Sequence, residues 1–190
     1  GTLAIPGIET ADLVGGSLFS ALAILVCLIS RSKTGRGQYI DTSMMDGIVS
    51  LLTLRLAGHM AGQVMKPAGL EISGGWICYN IYQTKDGGFI TIGCVEPWLW
   101  ENFCRAIGKE EFIPRQWQKE HFIYSPECEK WQEVFSYLKQ LFLTKTRDEW
   151  FDFLSQRDVP VGKGYSMDEV FADPQVRHRQ MVMEIEHPTL

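Results

Sequence analysis

An α/β layer followed by a smaller α+β domain is the architecture this sequence predicts, on three observations. Leu18 to Ile29 is an apolar run without a single charge, separated by Gly35-Arg36-Gly37 from the strand-like Gln38-Tyr39-Ile40-Asp41-Thr42-Ser43. Thr84-Lys85-Asp86-Gly87-Gly88 lies between two stretches rich in aromatic and β-branched residues, Trp76 to Tyr82 and Phe89 to Cys94. The second half then repeats the capping chemistry of helix N-termini, as in Thr146-Arg147-Asp148-Glu149 and Ser166-Met167-Asp168-Glu169.

The first helix is expected to be a buried one that stops at Ser30-Arg31-Ser32-Lys33, where basic residues suit the C-terminal dipole. The strand Gln38–Ser43 follows. From Met44 onward, Ile48, Leu51, Leu52, Leu54 and Leu56 supply the apolar surface of a second helix that loosens at Gly58 and Gly62 and ends before Pro67. Helix, strand and helix make one layer of an α/β domain whose other strands are missing.

After Pro67-Ala68-Gly69, the Ser73-Gly74-Gly75 stretch reads as a flexible loop and the two aromatic-rich runs as a β-hairpin. Glu96-Pro97 then opens a helix, with Glu96 at the N-cap and Pro97 at the first helical position, that runs through Ile107 and stops at Gly108. Ser125-Pro126, the two capping boxes and Asp173-Pro174 mark further helix starts.

With 190 residues, 45% hydrophobic and 22% charged, the chain has enough apolar mass for one domain or two small ones. A net charge of -5 without a basic cluster gives no support to nucleic-acid or anionic-membrane partners. The charge-free run falls short of the ~20 residues that span a bilayer, so no membrane anchor is expected. The opening Gly1-Thr2-Leu3-Ala4-Ile5-Pro6, without Met or a basic segment, reads as an internal piece of a longer protein. Cys27, Cys78, Cys94, Cys104 and Cys128 are odd in number and form no Cys-x-x-Cys pair, as expected of reduced core thiols in a cytoplasmic protein. His59, His121, His178 and His187 form no ligand cluster, and no metal site is expected.

Two carboxylates stand out. Asp12 sits at the mouth of the apolar helix in Asp12-Leu13-Val14-Gly15-Gly16-Ser17, where a charge beside apolar surface either caps, pairs or performs chemistry. Glu96 leaves a strand directly into a helix N-terminus, where backbone N–H groups favour its ionised form. For both, capping is the competing explanation. Trp98, Trp100 and Phe103 behind Glu96 read as helix core, with the wall of an acyl pocket as the alternative.

Ala11-Asp12-Leu13-Val14-Gly15-Gly16-Ser17, then Thr34-Gly35-Arg36-Gly37-Gln38-Tyr39-Ile40-Asp41-Thr42-Ser43-Met44 with Asp46-Gly47, resembles the family III CoA-transferases. Gly74-Gly75, Tyr82-Gln83-Thr84-Lys85-Asp86-Gly87, Glu96-Pro97, Asp158-Val159-Pro160-Val161 and Ala172-Asp173-Pro174-Gln175-Val176 follow in the family's order, so the likeness covers nearly the whole chain.

The resemblance implies a large Rossmann-like domain, a small α+β domain and two subunits interlocked as rings. In that scheme residues 1–65 are the second half of the large domain, 66–175 the small domain, and 176–190 the start of the return to the large domain. Most contacts to the CoA nucleotide would lie upstream of Gly1, so the chain alone is expected to be inert. The resemblance implies a CoA thioester as substrate, no tightly bound cofactor and a homodimer.

Asp12 matches the family's catalytic aspartate. In the transferases it attacks the acyl-CoA thioester; in the α-methylacyl-CoA racemases it moves the proton α to the thioester. Glu96-Pro97 resembles the racemases, in which this glutamate assists a histidine base. Gly74-Gly75 matches the substrate loop and is shorter than the glycine flap of some transferases. The racemase type is therefore the expectation, with CoA transfer as the alternative.

Overall fold

The computed structural model describes residues 7–62, 74–116 and 129–186. The chain divides into two compact units, Gly1–Pro67 and Ala68–Leu190.

The first unit is helical. A π-helical segment, Ala11–Leu18, runs without interruption into α1 (Phe19–Thr34). Gly35 closes α1 in the left-handed region at φ 70°, its N–H donating to Arg31 O at 2.8 Å. A residue with a side chain adopts that conformation at a cost, so the predicted glycine stop is realised in its usual form. After Ser43, whose Oγ accepts from the Asp46 N–H, come α2 (Met44–Leu51) and α3 (Thr53–Met60). These replace the single helix expected from Met44 onward. Leu52, at φ -79° and ψ 4°, leaves the helical track, and its N–H turns back to Val49 O at 3.1 Å.

The predicted strand Gln38–Ser43 does not form. A β-like composition makes a strand only beside another strand that can take its backbone bonds, and none pairs with this segment among the described residues. Two of its side chains bond to α1 instead: Gln38 Nε2 donates to Ser30 Oγ at 2.9 Å, and the Thr42 and Ser20 hydroxyls share a hydrogen bond at 2.9 Å.

The expectation of a buried first helix also fails in this unit. No residue of α1 is buried, and Val26 is 64% exposed. Leu22, Leu25, Leu28 and Ile29 are exposed too. Together the π-helical segment and α1 form 24 continuous helical residues, long and apolar enough to cross a membrane by length and composition alone. That is longer than the charge-free run, because Ala11–Ser17 and Ser30–Thr34 extend the helix at both ends.

The second unit holds a three-stranded antiparallel sheet in the order β1 (Tyr79–Gln83), β2 (Phe89–Gly93), β3 (Val161–Gly164). Tyr79 stands opposite Gly93 and Gln83 opposite Phe89, which is the expected hairpin; Phe89 in turn faces Gly164. Tyr82, Ile90 and Ile92 point into the core. There they join residues of α4 (Pro97–Ala106), α5 (Glu129–Phe142) and α6 (Arg147–Ser155). Phe142 stacks on Tyr82 with ring centroids 4.7 Å apart and on Phe103 at 6.2 Å. The polar handles of the buried rings are all used: Trp100 Nε1 donates to Phe112 O, Trp150 Nε1 to Phe142 O, and the Tyr82 hydroxyl to Ile77 O.

Both predicted capping boxes are present, at Thr146 for α6 and at Ser166 for α7 (Met167–Ala172). Asp173 caps α8 (Pro174–His178) by accepting from the Gln175 and Val176 N–H groups. The start at Ser125-Pro126 lies outside the described residues. At the hairpin tip, Thr84 Oγ1 donates to Asp86 at 2.6 Å, and Asp86 accepts from the Arg147 N–H at 3.2 Å. The Lys85 N–H donates to Lys145 O at 3.0 Å. The Arg147 side chain pairs through both terminal nitrogens with Glu169 and also donates to Gly164 O at 2.9 Å, tying α6, β3 and α7 together.

Candidate active site

Asp12 is the second residue of the π-helical segment and is exposed. It is not a cap: the segment's N-cap position belongs to Thr10, which makes no side-chain capping bond either. The wide turn that carries Asp12 also shows in Ser17 Oγ, which donates to Asp12 O at 2.9 Å across five residues. π-Turns inside α-helices are rare and frequent at functional sites.

This backbone packs closely on α2. A β-carbon at Gly15 would lie 2.7 Å from Met44 O, and one at Gly16 2.9 Å from Met44 Cγ. At Gly47 it would fall 2.6 Å from Gly15 Cα. Gly15 and Gly47 are the buried residues of this unit among those described. The predicted motif glycines are therefore what lets the Asp12 turn press backbone to backbone against α2.

Glu96 occupies the N-cap position of α4, with φ -72° and ψ 139° and Pro97 next to it, as expected. Its carboxylate nevertheless makes no capping hydrogen bond. The main chain alone engages the helix, Glu96 O accepting from the Leu99 and Trp100 N–H groups. Of the aromatic residues behind it, Trp100 and Phe103 are core, whereas Trp98 is 59% exposed beside Glu96.

Gly74 takes φ +89°, open to glycine and strained for other residues, and Gly75 is buried. The loop is less free than its composition implies. Asn80 Nδ2 donates to both Gly74 O and Trp76 O at 3.1 Å, while Asn80 Oδ1 accepts from the Ile81 N–H. Because Tyr79 faces Gly93 and the Cys94 N–H donates to Cys78 O, the Gly74–Trp76 loop and Glu96 leave the hairpin at the same end. The structure thus brings Gly74, Gly75 and Glu96 to one end of the second unit, while Asp12 belongs to the first.

Two residues here escaped the sequence reading. Asn80 looked like an ordinary strand residue, and Gln116 carried no motif at all. Gln116 is 8% exposed, and its Nε2 donates at 2.9 Å to both Cys94 O and Val95 O, the two carbonyls before Glu96. The nearby thiols are not reactive centres: burial pushes Cys78, Cys94 and Cys104 up to about 12. Cys128 lies outside the described residues. Among those described, no group of three His, Cys, Asp or Glu residues could hold a metal ion.

The CoA-transferase family III model matches residues 2–190, and the chain belongs to that family. Its relatives carry two different chemistries in their names. Over 185 residues it is 30% identical to succinyl-CoA:glutarate CoA-transferase of Homo sapiens, covering 97% of this chain and 41% of that protein. Over 162 residues it is 30% identical to alpha-methylacyl-CoA racemase of Homo sapiens, covering 84% of this chain and 40% of that protein. A crystal structure of a CAIB/BAIF family protein from Brucella suis matches with a TM-score of 0.70 at 25% identity, covering 94% of this chain and 46% of that one. The chain spans less than half the length of these relatives.

Proposed function

We propose that the protein processes acyl-CoA thioesters and that its reaction is of the 2-methylacyl-CoA racemase type. The observation that carries this reading is the Glu96 carboxylate, set at a helix N-terminus yet not spent on capping. Asp12 takes the proton α to the thioester, the electron pair moves into the carbonyl as an enolate, and reprotonation on the other face inverts the centre. Glu96 assists a histidine base that lies outside this chain. Gly74 and Gly75 form the substrate loop, and the CoA nucleotide is held mostly by chain beyond these 190 residues. The exposed apolar side of α1 is the surface that the remainder of the large domain covers in a cytoplasmic homodimer.

A second reading is favoured by the match to a succinyl-CoA:glutarate CoA-transferase over 97% of this chain. In it the Asp12 carboxylate attacks the thioester carbonyl and expels the CoA thiolate, leaving a mixed anhydride. The thiolate then attacks the aspartyl carbonyl, releasing the first acid and giving an aspartyl-CoA thioester that a second carboxylate displaces.

Solvent exchange separates the two. With a 2-methylacyl-CoA in heavy water, the full-length protein is expected to place deuterium at the α-carbon. Asp12→Asn should abolish most of that labelling and Glu96→Gln slow it less severely. Absence of labelling, with hydroxylamine trapping an acyl group at Asp12, would overturn the racemase reading in favour of CoA transfer.

A further inference from the structure

We infer that Gln116 is the positioning residue for Glu96. The inference rests on the reading of Glu96 as a residue that serves the reaction.

The connector from β2 to α4 is only Cys94, Val95 and Glu96. The β1–β2 ladder ends at Gly93, and Cys94 makes one further backbone bond, its N–H to Cys78 O at 2.8 Å. The Val95 N–H turns back to Gly93 O at 3.0 Å. The carbonyls of Cys94 and Val95 meet no backbone donor among the described residues. The Cys94 carbonyl is buried and the Val95 carbonyl half-buried, so leaving both acceptors unmet is costly, and a single side-chain amide meets both.

That amide is itself held. Gln116 follows the 3-10 helix Glu110–Arg115 directly. This helix is fixed to α4 by the Trp100 Nε1 bond to Phe112 O at 3.0 Å and by the Lys109 N–H bond to Cys104 O at 2.8 Å. Glu96 is thus set from two sides, by the helix whose Leu99 and Trp100 N–H groups donate to its carbonyl and by Gln116 behind its two predecessors. Thr84 and Gln116 are the buried polar side chains among the described residues, and Thr84 is spent on the hairpin turn. Burying a long amide to fix the two residues before Glu96 suits a carboxylate that must keep its place, because a displacement of about 1 Å can cost on the order of 10²-fold in rate.

The test is a double-mutant cycle in the full-length protein, read as α-deuterium incorporation into a 2-methylacyl-CoA and as KM. Gln116→Met keeps the volume and removes the donors. It should slow labelling about tenfold with KM within about twofold, and should add almost nothing in a Glu96→Gln background. Gln116→Asn, whose amide is one methylene shorter, runs through the same cycle and stands in where Gln116→Met does not yield folded protein. An equal, additive loss in both backgrounds, or no loss in the parent protein, overturns the inference. If Glu96→Gln alone leaves labelling untouched, the Glu96 reading itself falls, and the inference with it. If Glu96→Gln slows labelling and neither Gln116 variant does, only the role of Gln116 falls.

Discussion

Gly15 and Gly47 meet backbone to backbone, so close that a β-carbon on Gly47 would lie 2.6 Å from Gly15 Cα. This contact couples the π-turn that presents Asp12 to the first turns of α2. Gly47→Ala must therefore push the two helices apart. Overpacking of this kind costs about 1–3 kcal/mol where side chains can yield, and backbone yields less readily. A clear fall in Tm of the full-length protein is expected, with loss of the Asp12-dependent reaction. An unchanged Tm would show that α2 can retreat freely.

Asn80 closes the Gly74–Trp76 loop onto β1 with its amide. Asn80→Leu takes the side-chain donor from the Gly74 carbonyl, leaves Trp76 O with the Tyr79 N–H, and should cost about 1 kcal/mol of stability in denaturant unfolding. Limited proteolysis should then cut near Gly74 faster than in the parent protein. Equal cleavage rates would mean that the loop is held by other contacts.

The two hydrogen bonds from Arg147 hold the Glu169 carboxyl at about 2, against an ordinary 4.5. A depressed carboxylate contributes stability above its unfolded value, and that contribution is lost as the pH falls from 4.5 through about 2. Thermal unfolding followed from about pH 5 down to pH 2 should show this loss, and Arg147→Met should flatten the profile in that window. A variant whose profile runs parallel to that of the parent protein would assign the acid sensitivity elsewhere.

Leu22, Leu25, Val26 and Ile29 are each more than half exposed along α1. Contiguous apolar surface of this kind drives association in water. The 190-residue chain by itself is expected to form oligomers, with light scattering showing a mass that rises with concentration. A constant monomer mass would contradict this.

What the sequence disclosed is what depends on neighbours in the chain. The boxes at Thr146 and Ser166, the Asp173 cap, the Gly35 stop and the hairpin turn each close within a few residues, so their chemistry can be read in order. Gln38–Ser43 has the composition of a strand but does not form one, because a strand is a relationship with a second segment. Among the candidate residues, the positions of Asp12 and Glu96 were visible, but their freedom from capping was not, since it depends on where each backbone turns. The glycines at 15 and 47 let the π-helical segment and α2 meet across α1 and the loop after it, and Gln116 serves carbonyls more than twenty residues earlier. Such pairings leave no periodic trace.

The Asp86 carboxylate reaches across 61 residues to the Arg147 N–H, the donor that the Thr146 box leaves unfilled, while the Lys85 N–H meets Lys145 O. The hairpin tip and the first turn of α6 consequently complete one another's hydrogen bonds. In amide exchange they should behave as one cooperative unit, the Lys85 and Arg147 amides opening together and closing only after the long intervening chain has been threaded into place.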